Sequence, residues 1–176
     1  MCNEGELLFA RTAEKIEEVY TTGPSSCMAH KKEVWGADMP VHPTSVYASP
    51  DLAVAYMNYG GRKASRTVVW PEKKIYVRIY GDHLRMQKLL AAAGYKQGCI
   101  TGARVKRIRF KDKNRSVLPY IDYEDAVTHK KDDDDHFYIG RHRGDSWGRI
   151  VTAGGTTGSI SDYDYYCIRC NCVHSI

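Results

Sequence analysis

Three groups of residues in this 176-residue chain are of types that can do chemistry: a cysteine near its start, arginines interleaved with tyrosines, and a cysteine-rich tail. Cys27 follows Pro24-Ser25-Ser26 and precedes His30 by three positions. A cysteine becomes a nucleophile when a base or a positive field stabilises its thiolate. His30, His42 and Arg78 are the residues that could provide this. The competing reading places Cys27 and Met28 as small apolar groups packed beneath a sheet.

Arg66 and Arg78 stand on neighbouring predicted strands with Tyr76 and Tyr80 alongside. Such a face suits a phosphate, a carboxylate or a stacked base. It equally suits a surface ladder in which each guanidinium lies on a tyrosine ring. Lys106, Arg107 and Arg109 extend the basic surface. The tail carries Cys167, Cys170, Cys172 and His174, four groups that can ligate zinc. A two-residue spacing lets Cys167 and Cys170 converge on one ion, although a complete site normally draws its second pair from a distant segment. A frayed thiol-rich terminus and ligands shared across a dimer are the alternatives. The run Asp132 to Asp135 lacks the spaced ligands of a calcium loop and reads as a solvated acidic loop, or as a mimic of nucleic-acid charge.

Charge is segregated along the chain. Between Arg62 and Arg115 sixteen Lys and Arg face only Glu72, Asp82 and Asp112, a surplus of thirteen, which leaves the remainder of the +5 chain net acidic. Either the basic half attracts a polyanion or acidic protein, or the acidic segment folds against it. With 43% apolar residues the chain can bury one core, and no run approaches the roughly 18–20 apolar residues of a membrane span. The first residues lack a basic, then apolar, secretory pattern, so the expectation is an intracellular chain with reduced thiols.

The elements that must position these groups are read from periodicity. Phe9, Ala13, Ile16 and Tyr20 predict a helix over 6–20, stopped by Gly23-Pro24. Prolines 40, 43 and 50 predict an irregular arm packed by Trp35, Val46 and Tyr47. Residues 52–57, 66–70 and 75–80 read as an antiparallel meander, the first turn marked by Gly60-Gly61. Asp82 is expected to cap a helix that Gly94 ends, and 98–110 reads as an edge strand. Short extended pieces follow at 117–122 and 136–140, then turns and a hairpin around Trp147 to Thr152. The expected fold class is α+β, a small antiparallel sheet packed by one or two helices. Residues 1–140 form its domain, and 141–176 form a Gly/Ser/Asp-rich extension.

The series Ser26-Cys27-Met28, Tyr47-Ala48-Ser49-Pro50-Asp51, Leu52 to Met57, Ala64 to Trp70, Arg78-Ile79-Tyr80, Gly94-Tyr95 and Leu118 to Asp122 resembles a family of small accessory proteins of tailed bacteriophages. That resemblance implies a protein made in the host cytoplasm that binds a host macromolecule, a protein first and nucleic acid second, and blocks or redirects it. Longer members carry further cysteine pairs that suggest a zinc ribbon, and zinc is the one cofactor implied. The order of three antiparallel strands, a helix and a strand also resembles the centre of a GNAT-type acetyltransferase. There a glycine-bearing loop binds the coenzyme pyrophosphate at a helix N-terminus. The corresponding turn here, Tyr80 to Arg85, has one glycine and places Asp82 where phosphate would sit. Acyl transfer and nucleic-acid regulation are therefore the alternative functions.

Overall fold

The computed structural model describes residues 5–35, 39–109, 116–117, 119, 121, 126–130, 132–140, 150–152, 165–167 and 172–174. Over these residues it is an α+β fold with two α-helices and mostly antiparallel sheets. The predicted opening helix is two elements: strand β1 (Glu6–Ala10) and helix α1 (Ala13–Thr22). The divide falls at Thr12, whose extended backbone and side-chain oxygen cap α1 by accepting from the Lys15 amide at 3.3 Å. Ile16, Val19 and Tyr20 form the buried helical face, whereas Phe9 belongs to β1 and stacks on Tyr95.

β1 pairs antiparallel with β2 (Ala53–Tyr59), and β2 with β3 (Arg62–Trp70) through the Gly60-Gly61 turn, where both glycines have positive φ. The third strand of the meander is split into β4 (Ile75–Tyr76) and β5 (Tyr80–Gly81), both on β3. Val69 is opposite Tyr76 but Arg66 is opposite Tyr80, so the split holds one residue more than its partner strand. This bulge reverses which side chains face which side of the sheet. Helix α2 (His83–Ala92) follows, capped by Asp82, and β6 (Lys96–Gln97) returns parallel to β4.

The sheet order β1-β2-β3-β4-β6 separates two apolar clusters. Val54, Tyr56, Val68, Trp70 and Val77 pack with α1 residues and the 3₁₀ turn Pro43–Tyr47; Ala53, Ala55, Met57, Val69, Tyr76 and Ile79 pack with Met86 and Leu90 of α2. A strand covered on both faces must be apolar at successive positions, which explains the run Leu52 to Met57. The expected strand 98–110 is regular only over β7 (Arg104–Lys106), because Thr101-Gly102 forms a turn with Gly102 at φ +89°.

β7 pairs with β10 (His136–Ile139), which pairs with β9 (Ala126–His129) and, through it, β11 (Ile150–Thr152). β8 (Ser116–Val117) pairs in parallel with β12 (Tyr165–Cys167), whose antiparallel partner is β13 (Cys172–His174). Phe110, Leu118, Tyr120, Asp122 and Trp147 lie outside the described residues, as does the side chain of Trp35. Among the described residues no helix is long and apolar enough to cross a membrane.

The proline-rich arm is fixed by His42, which is fully buried. Its Nε2 donates to the His30 carbonyl at 2.7 Å, and its Nδ1 accepts from the Thr44 amide at 3.2 Å. That pattern requires a neutral ring, and burial holds its pKa below 6.5. The unfolded chain therefore takes up the proton first, and stability must fall as pH drops from about 6.5 through the lower folded-state value. Alanine at His42 should remove that slope and cost about 1–3 kcal/mol through the lost hydrogen bonds. Denaturant unfolding at about pH 7 and pH 5 checks both expectations; an equal slope in wild type and variant contradicts them.

Candidate functional site

Arg66 is among the largest fully buried side chains of the described residues, and its surroundings differ from the expected surface patch. Positions 66, 68 and 70 share one face of β3, and Val68 and Trp70 of that face pack in the α1-side cluster. The guanidinium donates through Nη1 to the Pro24 carbonyl and through Nη2 to Ser26 Oγ at 2.6 Å. It stacks on Tyr20 of α1 at 4.2 Å and on Tyr80 at 4.8 Å. Among the described residues no carboxylate pairs with it, and its Nε has no partner. The cation is thus held by a carbonyl, a hydroxyl and two aromatic rings, an arrangement that ties the 24–26 loop to the sheet.

The residues expected to form one binding face are divided among three environments. Tyr76 is buried on the α2 side, Arg66 on the α1 side, and Arg107 is 6% exposed. Arg78 is exposed beside the Tyr80 ring, 5.1 Å from its centre. The bulge separates Tyr76 from Arg66 and Tyr80, since it turns Tyr76 and Tyr80 to opposite sides, and Arg107 follows β7 of another sheet. Arg66, Tyr76 and Arg107 therefore do not present themselves to a partner. Arg109 is partly exposed and bonded to Asp134.

The acidic run folds back on the basic strand. Asp134 accepts from Arg107 Nη1 at 2.9 Å and pairs with Arg109 Nη2 at 2.8 Å. The Asp133 carboxylate accepts from His136 Nδ1 at 3.0 Å and from the Tyr138 hydroxyl at 2.6 Å. Burial and this carboxylate push the Tyr138 phenol up to about 12. Asp51 accepts from the Arg104 amide at 2.7 Å and from its Nη2 at 2.7 Å, tying the end of the arm to β7. Of the two readings of the charge pattern, internal pairing describes residues 104–109 and 133–136.

Cys27 is exposed rather than packed with Met28, and among the described residues no base is hydrogen-bonded to it. His42, one candidate base, is committed to the arm through both ring nitrogens. In the tail, β12 and β13 set Cys167 opposite Cys172 and Tyr165 opposite His174, while Cys170 lies outside the described residues. Among the described residues no group of three or more metal-ligating side chains assembles.

An open groove of about 550 Å³ lies where the end of α1, the β2–β3 hairpin and the β5–α2 junction meet. Tyr59, Arg62, Lys63, Asp82 and Arg85 line it together with the backbone of Gly23-Pro24 and Gly81. Lys63 Nζ reaches Glu18 at 2.8 Å, and bonds from Lys15 and Lys63 hold the Glu18 carboxyl down at about 2. Arg85 lies 4.3 Å over the Tyr59 ring and pairs with Asp82. Arg62 is exposed, and among the described residues no carboxylate pairs with it. Strands β2, β3 and β4 are followed by α2 and β6 in the expected order, and Asp82 caps α2 through the Arg85 amide, which puts a carboxylate at the helix N-terminus.

The groove was not found from sequence because its residues come from three separated segments. The available signal was the adjacent positive charge of Arg62-Lys63 immediately after the Gly60-Gly61 turn. No protein-family model, curated protein or solved structure matches the chain.

Proposed function

We infer that this chain is a binding protein, made by a tailed phage in its host's cytoplasm, that engages a host macromolecule and blocks or redirects it. The observation that carries the reading is the distribution of unneutralised charge. Arg62, Lys73, Lys74, Arg78 and Lys88 are all exposed without a carboxylate partner among the described residues, whereas Asp134 of the acidic run is spent on Arg107 and Arg109. Exposed cations that no internal carboxylate neutralises steer an acidic partner and speed its encounter. The resemblance of the Ser26-Cys27-Met28 and Arg78-Ile79-Tyr80 segments to phage accessory proteins supports the biological setting.

Acyl transfer is the second reading. The order β2-β3-β4-α2-β6 favours it, and the self-capped N-terminus of α2 opposes it. Affinity capture from bacterial lysate separates the two. The binding function expects a stoichiometric partner that elutes as salt rises, and a column that retains nothing beyond a blank one would sink it.

A further inference from the structure

We propose that the groove formed by the end of α1, the β2–β3 hairpin and the start of α2 docks an acidic, extended segment of a protein partner. This rests on the binding function above and names its surface and the chemistry of its ligand. The groove is partly open to solvent rather than enclosed, which suits a chain segment better than a small molecule sealed from water. Its cations differ in how far they are neutralised. Arg62 has no acidic partner among the described residues, Lys63 shares Glu18 with Lys15, and Arg85 is paired with Asp82.

A second source of positive potential lies behind the wall. Pro24 lines the groove, and its carbonyl accepts from Arg66, the buried guanidinium that has no carboxylate among the described residues. A charge in low dielectric that is not neutralised inside the protein projects its field to the nearest opening. An incoming carboxylate gains from that field as well as from Arg62.

The same geometry favours a peptide over a nucleic-acid strand. Asp82 lies among the cations of the lining, Glu18 is bonded to Lys63 beside it, and α1 ends at the groove with no basic residue in its last turn, so its negative end faces there too. A peptide meets this mixture with carboxylates and amide N–H donors, whereas a phosphodiester strand brings a charge at every nucleotide and no donor on its backbone. Tyr59, the ring on which a base would stack, is already covered by Arg85.

Fluorescence anisotropy tests the assignment, with a labelled peptide alternating glutamate and serine, a labelled oligo-dT of equal charge, and the full chain. Wild type should bind the peptide more tightly than the oligonucleotide. Arg62→Glu should weaken peptide binding about tenfold or more, since it sets like charges together. Lys96→Glu makes the same change in net charge on exposed β6 and should cost no more than about threefold. Equal losses in the two variants, preference for the oligonucleotide, or no peptide binding would each overturn the assignment. A peptide that fails to bind while lysate capture succeeds removes the groove and leaves the binding function standing. Peptide binding with no captured partner does the reverse.

Discussion

Arg66→Ala is expected to lower the stability of the protein by about 3–5 kcal/mol, a large share of the roughly 5–15 kcal/mol that holds a domain of this size together. The substitution removes the donors to the Pro24 carbonyl and Ser26 Oγ and leaves a void between Tyr20 and Tyr80. Because α1 and the 24–26 loop meet the sheet through these contacts, the loss is not local. Arg66→Lys keeps the charge, yet one ammonium cannot reproduce a planar fork that bonds two acceptors while lying on two rings. It should cost about 2–3 kcal/mol. Arg66→Met, which fills the volume without a charge, should fall near the lysine variant, since Pro24 remains unpaired while the desolvation cost disappears. Denaturant midpoints of the three variants test this order. An alanine variant as stable as wild type would show that the buried cation ties nothing together.

Gly81→Ala is the second large effect. Gly81 has φ +93°, a conformation that side chains rarely adopt, and an added Cβ would collide with the Ala64 carbonyl oxygen and stand 2.8 Å from Pro24 Cγ. The colliding oxygen is backbone and also accepts from the Asp82 amide, so neither strand can give way without breaking the β3–β5 contact. A loss on the order of 3 kcal/mol follows from the strained φ and the overlap together. By comparison, Gly60→Ala meets no atom within 4 Å, so only its backbone strain should count and the loss should be smaller. Thermal unfolding of the two variants side by side distinguishes overlap from strain, and equal shifts would mean that the crowding at Gly81 is of no consequence.

Much of the fold was legible because local signals agreed with the tertiary outcome. The Gly60-Gly61 turn, the Asp82 cap and the Gly94 stop each require a specific backbone conformation, and each sits where its residue type predicts. The opening helix was misread because Phe9 falls by coincidence on the helical spacing of Ala13, Ile16 and Tyr20. Thr12 at the true cap was the local signal against it.

The burial of Arg66 and Arg107 was legible in principle. Arg66 alternates with Val68 and Trp70, and Arg107 with Ala103 and Val105, so period two already places both arginines on interior faces. Charge suggested the surface, and the alternation was the better guide. No local pattern announces the bulge between Tyr76 and Tyr80, because it arises from pairing with β3. It is what turned an expected aromatic and basic face into two separate environments.

The most direct test of the central claim, that exposed cations at the groove engage a host macromolecule while Arg66 holds the fold, is lysate capture run in parallel on wild type, Arg62→Glu and Lys96→Glu. The expected result is one stoichiometric partner retained by wild type and by Lys96→Glu and lost from Arg62→Glu, with all three chains folded. Retention of the same partner by Arg62→Glu at wild-type levels would contradict it.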